Sequence, residues 1–247
     1  MVGNLLLRGM LVGVFAGLLA FAFARTFGEP QVDRAIAFEE QLDAAKGEAP
    51  EPELVSRETQ AGLGLFTGVI VYGAALGGLF SLVFAYAYGR VSALGVRATS
   101  ALLALAGFVA VVLVPFIKYP ANPPSVGNPE TIGPRTALFF IMLVLSIAAM
   151  VFAIWLARRL RARYGDWNAV LIAGAAFIII VAVIQLALPA IDEVPENFSA
   201  VVLWRFRVAS LGIQLILWAT IGLLFGGLTE KSFAGRFAPK PARSALR

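Results

Sequence analysis

The chain contains neither cysteine nor histidine. Without cysteine there are no disulfides, thiol nucleophiles or thiolate ligands. Without histidine it lacks the commonest metal ligand and the usual general base near neutral pH. Charge is also scarce: 14% of residues are Asp, Glu, Lys or Arg, and no acidic residue lies in the middle of an apolar run. A proton relay built on intramembrane carboxylates is therefore not expected. No nucleophile–base pair is readable either, so the sequence is read as a non-enzyme.

What remains is overwhelmingly apolar. Hydrophobic residues make up 60% of the 247, with a mean hydropathy of +0.84. A soluble domain of this size could not hide so much apolar surface. The apolar residues come in runs of about 20 or more, the length needed to cross ~30 Å of hydrocarbon. The predicted fold is all-α: one polytopic transmembrane helical bundle over residues 1–247. Six spans are expected, roughly 4–24, 61–88, 97–117, 134–157, 168–189 and 206–228. The high isoelectric point does not indicate nucleic-acid binding, because the basic residues flank the spans.

The charges sort by side. With the N-terminus in the cytoplasm, the inner side collects Arg8, Arg90, Arg97, the cluster Arg158, Arg159, Arg161 and Arg163, and the C-terminal bases, against only Asp166 and Glu230. The outer side then holds the other thirteen acids against eight bases. Basic residues mark the cytoplasmic side, so both termini are expected inside. The first span has a rival reading, since Arg8, an apolar run and Ala22-Phe23-Ala24 resemble a secretory signal with its cleavage site. Against this, Gly9, Gly13 and Gly17 recur every four residues and make a smooth face for close helix packing. Gly64 with Gly68, Gly73 with Gly77, and Gly222 with Gly226 offer similar faces, for packing within the bundle or for a partner subunit. Gln185 and Gln214 are the clearest intramembrane polar groups. They are expected to bond each other or to line a path.

The outer face carries the candidate site. Nine acids lie in the first outer loop, residues 25–60. Within it, Pro30 and Gly47 bracket a predicted short amphipathic helix over 31–46. Val32, Ala35, Ile36 and Leu42 share its apolar face with Glu39 and Asp43, while Glu40 lies off it. If the apolar face rests on the bundle or the membrane, Glu39 and Asp43 require a cation. The candidates are Lys118, Arg135, Arg205 and Arg207, or a metal ion. Two carboxylates alone bind such an ion weakly, so a metal site would need carbonyls, waters or a second protein. Residues 48–53 (Glu-Ala-Pro-Glu-Pro-Glu) read as an extended acidic connector that concentrates cations. The four prolines among residues 115–124 end span three in an extended connector, with Lys118 and Tyr119 at headgroup depth. Lys118 and Asp192 each lie three residues past a span-ending proline and are candidates to pair across the outer mouth.

These residues also carry a resemblance. Phe116-Ile117-Lys118-Tyr119-Pro120-Ala121-Asn122-Pro123-Pro124-Ser125-Val126-Gly127-Asn128-Pro129-Glu130-Thr131-Ile132 resembles the signature segment of the CbtA family of proposed cobalt transporter subunits. Gly28-Glu29-Pro30, with Ala35-Ile36-Ala37-Phe38-Glu39-Glu40, is similar to the family's first outer loop, and so is Glu51-Pro52-Glu53-Leu54-Val55-Ser56-Arg57. The resemblance implies a bacterial inner-membrane subunit that moves Co2+ as cargo, with no tightly bound cofactor. It also implies a small single-span partner of the CbtB kind, bearing histidines near its terminus. Family descriptions often count five spans where six are read here, and this outer loop has carboxylates where many relatives carry histidines. The alternative expectation is a structural or accessory subunit of a larger membrane complex with no transport activity of its own.

Overall fold

A computed structural model describes residues 2–47, 54–91 and 93–237, so the connector 48–53 and the C-terminal bases Lys240, Arg243 and Arg247 lie outside the described residues. The described chain is helical: α1 (Val2–Phe23), α2 (Glu29–Lys46), α3 (Arg57–Thr59), α4 (Leu65–Ala87), α5 (Val96–Gly107), α6 (Val114–Lys118), α7 (Ile132–Ala187) and α8 (Ala200–Phe237). Three π-helical turns join consecutive helices without a break, at Ala24–Gly28, Gln60–Gly64 and Phe108–Leu113. Five helical segments are long and apolar enough to cross a membrane: Val2–Lys46, Arg57–Ala87, Val96–Lys118, Pro129–Ala187 and Ala200–Ala234.

Five segments appear instead of six because 134–157 and 168–189 belong to one helical stretch. That stretch turns at Gly165, whose backbone sits at φ 74° and ψ 170°. A positive φ of this kind is open to glycine at little steric cost. The two arms, 132–164 and 166–187, would each exceed 30 Å at 1.5 Å per residue, by roughly 20 Å and 3 Å. The second arm turns back toward the first: Ala153 and Ala173 line one groove, and Ser146, Ala149 and Ala153 on one arm and Ala169 and Ala173 on the other are buried. The return is closed by Arg135 and Glu193, which meet at 3.4 Å.

The tightest packing is between α1 and α4, and glycine makes it. The two helices run antiparallel, with Gly9 against Gly77, Gly13 against Gly73, and Gly17 against Val69 and Ile70. A Cβ at Gly13 would strike the Gly73 carbonyl, and one at Gly77 would strike the Gly9 carbonyl. Backbones approach this closely only where side chains are absent. α8 lies against α1 and α5. Gly222 faces Ala104, and Ser100 Oγ donates to the Gly222 carbonyl at 2.6 Å. Phe80, Phe84, Leu217, Ile221 and Phe225 fill the core between these helices, with Phe225 edge-on to both Phe80 and Phe84. Gly64 and Gly68 do not pack helices: no neighbouring atom comes within 4 Å of a Cβ at Gly68, and Gly64 meets only the Thr59 carbonyl of its own segment.

The two ends of the bundle differ in charge as the sequence indicated. At one end Arg8 donates to the buried Thr229 hydroxyl at 3.1 Å, Arg97 pairs with Glu230, and Arg161 pairs with Asp166 at 2.7 Å. At the other, a small second core of Ala35, Val126 and Phe198, with Phe38 edge-on to Phe198, joins α2 to the chain beyond α6 and to the start of α8.

Because the Gly13–Gly73 contact leaves no room for a side chain, Gly13→Leu is expected to destabilise the bundle by about 1–3 kcal/mol or more. Gly68→Ala, which adds a methyl group into open space, should leave the thermal unfolding midpoint in detergent unchanged or slightly raised.

Candidate functional site: a polar cavity at the acidic end

The segment after α6 holds this end together. A helix leaves its last carbonyls without internal partners, and its C-terminal end is electronegative, so a nearby ammonium is well placed. Lys118 Nζ donates to the Gln185 carbonyl in the last turn of α7 at 2.7 Å. Gln185 Nε2 returns a bond to the Val114 carbonyl at 3.1 Å. Next in sequence, the Tyr119 hydroxyl donates to the Pro189 carbonyl at 2.9 Å. Burial raises the Tyr119 phenol above its ordinary value, which keeps that donor protonated. Arg207, on α8, donates to Asn122 Oδ1 at 2.8 Å and to the Ala121 carbonyl at 3.4 Å. Ser125, at φ 68°, donates from Oγ to the Ala35 carbonyl at 2.9 Å. Pro120, Pro123 and Pro124 hold the stretch extended and carry no N–H to satisfy. The segment therefore ties α7, α8 and α2 together.

Glu193 anchors the turn that follows. Its carboxylate accepts the Asn128 N–H at 2.8 Å and the Thr131 hydroxyl at 2.6 Å, beside Arg135. The Thr131 hydroxyl first, then the Asn128 N–H, hold the Glu193 carboxyl below its ordinary range against desolvation, with the Arg135 charge a lesser help. Gly127, at φ 131°, gives the Arg135 guanidinium its room: a Cβ there would overlap it. Arg135 Nε is buried and finds no hydrogen-bond partner among the described residues.

Between these groups lies an open cavity of about 410 Å3. Tyr119, Asn122, Arg135, Asp192, Glu193 and Arg207 supply its polar wall, and Val126, Ile132, Phe139 and Ile191 part of its apolar one. Glu193 is already engaged. Asp192 is exposed, makes no hydrogen bond or close ion pair among the described residues, and acts electrostatically on Arg207.

Several expectations are corrected by this geometry. Glu39, Asp43, Lys118, Arg205 and Arg207 do not form one cluster. Glu39 is exposed and only accepts from Ser125 Oγ at 3.3 Å, Glu40 is exposed, and Asp43 is half-buried without an ion pair among the described residues. The helix Glu29–Lys46 continues α1 through a π-helical turn instead of lying apart, and it buries Glu29, Gln31 and Ala35 instead of the Glu39–Asp43 face. The desolvated acid is Glu29, and its cation is Arg57, which also pairs with Asp33 at 2.9 Å. Arg205 is exposed and unpaired among the described residues. Lys118 bonds the Gln185 carbonyl and not Asp192. Gln185 and Gln214 do not meet: Gln214 accepts from the Tyr72 hydroxyl at 3.5 Å. Among the described residues no three His, Cys, Asp or Glu side chains converge as a metal cage would require. The sequence reading missed Glu193 and Glu29, whose partners are set by folding and not by spacing.

A helical membrane protein with a polar cavity at its acidic end is the class these features define. Residues 2–230 match the family described as probable cobalt transporter subunit (CbtA), and the chain belongs to that family. Neither the curated proteins nor the solved structures compared with it give a match.

Lys118→Met should leave the carbonyl end of α7 without its ammonium and lower stability by about 1.5–3 kcal/mol, the usual worth of a hydrogen bond to a charged group. Thermal unfolding in detergent reads this loss. For Glu193 the folded carboxyl titrates below the ordinary value of 4.5. Its stabilising contribution is complete above that value and disappears as the pH falls through the lowered one. The gap in unfolding midpoint between the native chain and Glu193→Gln should be open at neutral pH and close on acidification past that range.

Proposed function

We propose that this chain is the membrane-embedded subunit of a transporter for divalent cobalt. It crosses a bacterial inner membrane six times, the arms of α7 counting as two crossings, with both termini on the arginine-rich cytoplasmic side. The family match over residues 2–230 is the observation that carries this reading. The charge asymmetry of the two ends supports the orientation.

In this reading the outer acids do different work. Glu39, Glu40 and Asp43 are exposed or half-exposed and make no ion pair among the described residues. They raise the local cation concentration without caging an ion. Asp192 offers the cavity's available carboxylate, and the Arg207 guanidinium supplies the positive charge that an arriving ion must compete with. One carboxylate with carbonyls and waters is a weak site for a borderline divalent ion. Stronger ligands then come from a partner, and a small single-span CbtB-like subunit bearing histidines fits that need.

A second reading is favoured by a specific observation. Lys118, Tyr119 and Asn122 of the motif are all engaged in holding backbone and helices together. An accessory subunit that only scaffolds a membrane complex would use them in the same way.

Cobalt uptake by cells expressing the chain with and without its partner separates the two. The transporter reading expects uptake to need this chain and Asp192→Asn to depress it. Glu39→Gln with Glu40→Gln and Asp43→Asn should raise the apparent KM on the order of tenfold or less at low ionic strength, fading at high salt. Uptake indifferent to the presence of the chain would leave the accessory reading standing.

A further inference from the structure

The arms of α7 approach the rest of the bundle closely only near the acidic end, at Phe108–Leu113, Val114–Lys118 and Pro129–Thr131; along α5 they make no comparable approach. Toward the arginine-rich end they stand away from it. The space between is a groove of about 620 Å3, open to one side. Leu102 and Leu105 of α5, with Val109 of the π-helical turn that follows it, form one wall, and Met150, Ile154 and Phe177 of the two α7 arms form the other. Its polar lining is confined to one end. Thr99 is already bonded to the Leu94 carbonyl at 3.2 Å, which leaves Arg158 and Arg161 at the mouth. Arg161 pairs with Asp166, whereas Arg158 is exposed and faces no acid among the described residues.

We propose that this groove is a binding site for an anionic phospholipid, with acyl chain between α5 and the α7 arms and headgroup phosphate on Arg158 and Arg161. The groove lies within helices long and apolar enough to sit in hydrocarbon, where its walls are filled by acyl chains and not by water. That much holds for any lipid; the charge decides which lipid. The cluster Arg158, Arg159, Arg161 and Arg163 has one acid, Asp166, to balance it. Arg159 and Arg163 stack on Trp155 and Tyr164, so the two guanidinia at the groove mouth are the ones placed over its hydrocarbon. A guanidinium fork matches phosphate oxygens and is weakly hydrated, which suits it to a headgroup at the interface. Basic pockets between helices bind anionic headgroups on this principle. An apolar partner helix in the same groove would fill the space and leave Arg158 without a counter-charge.

The test uses the full chain purified in detergent, with phosphatidylglycerol and phosphatidylcholine of identical acyl chains, read by native mass spectrometry and by thermal unfolding. The expected result is retention of phosphatidylglycerol about tenfold better than of phosphatidylcholine, the scale for one unpaired arginine aided by a second that shares its charge with Asp166. Arg158→Gln should remove most of that preference while leaving the unfolding midpoint in phosphatidylcholine unchanged. Gly174→Leu, which projects into open space in the groove, should lower phosphatidylglycerol retention with both arginines intact. Arg163→Gln should change neither. Equal retention of the two lipids by the native chain would overturn the proposal. So would a preference that survives Arg158→Gln, or one lost equally in Arg163→Gln, which would show surface charge alone. A second polypeptide held in place of lipid would overturn it as well.

Discussion

The contact of one glycine backbone on another, α1 against α4, is the constraint from which the rest of the arrangement follows. Lipid is as apolar as leucine, so no hydrophobic force pulls these helices together. Close approach, with its many small dispersion gains, must do so. Gly9, Gly13, Gly73 and Gly77 permit that approach, and α8 then lies against α1 and α5. The aromatic cluster of Phe80, Phe84 and Phe225 fills the angle they leave. The α7 hairpin has no share in this packing. It has buried small residues on both its arms and joins the bundle at one end only.

That division explains why so many polar contacts gather around Lys118. A hairpin without a packed seam against its neighbours needs other attachments, and in a membrane those are hydrogen bonds to carbonyls that a helix end cannot satisfy for itself. Lys118, Tyr119 and Gln185 provide such bonds, to the carbonyls of Gln185, Pro189 and Val114. The prolines of the same segment keep it extended, so its side chains can reach three helices at once.

The sequence displays what repeats along one dimension. Apolar runs marked the helices, the four-residue glycine spacing marked the α1 face, and the sorting of Arg from Glu matches the two ends of the bundle. What stayed hidden depends on which groups meet in space. Gly64 and Gly68 carry the same spacing as Gly73 and Gly77, yet Gly68 faces open space, because spacing records a face and not what lies opposite it. The π-helical turns have no composition of their own, and the one at Ala24–Gly28 carries α1 on into α2 where a loop was expected. Gln185 bonds the carbonyl of Val114, and Gln214 the hydroxyl of Tyr72, in place of each other. In the cavity, Asp192 and Arg207 were visible as charges at the outer face. Glu193 was not, since its role comes from the N–H of Asn128 and the hydroxyl of Thr131.

The placement of Lys118 bears on any route for a cation. Tyr119 and Pro120 line the outer cavity, and the preceding residue directs an ammonium at the Gln185 carbonyl. Under the transporter reading, an ion that entered the cavity would lie near this half-buried ammonium, whose charge repels a cation. Arg207 in the cavity wall adds to it and Asp192 acts against it, while the Arg135 charge is met by Glu193. Under the transporter reading proposed above, these charges would stand in the way of a divalent ion entering from the cavity. Passage requires either that the Lys118–Gln185 clasp release, or that a second subunit supply ligands strong enough to carry the ion past it. In the first case passage would loosen one of the bonds that hold α7 to the bundle, whereas in the second the clasp stays closed and α7 stays held.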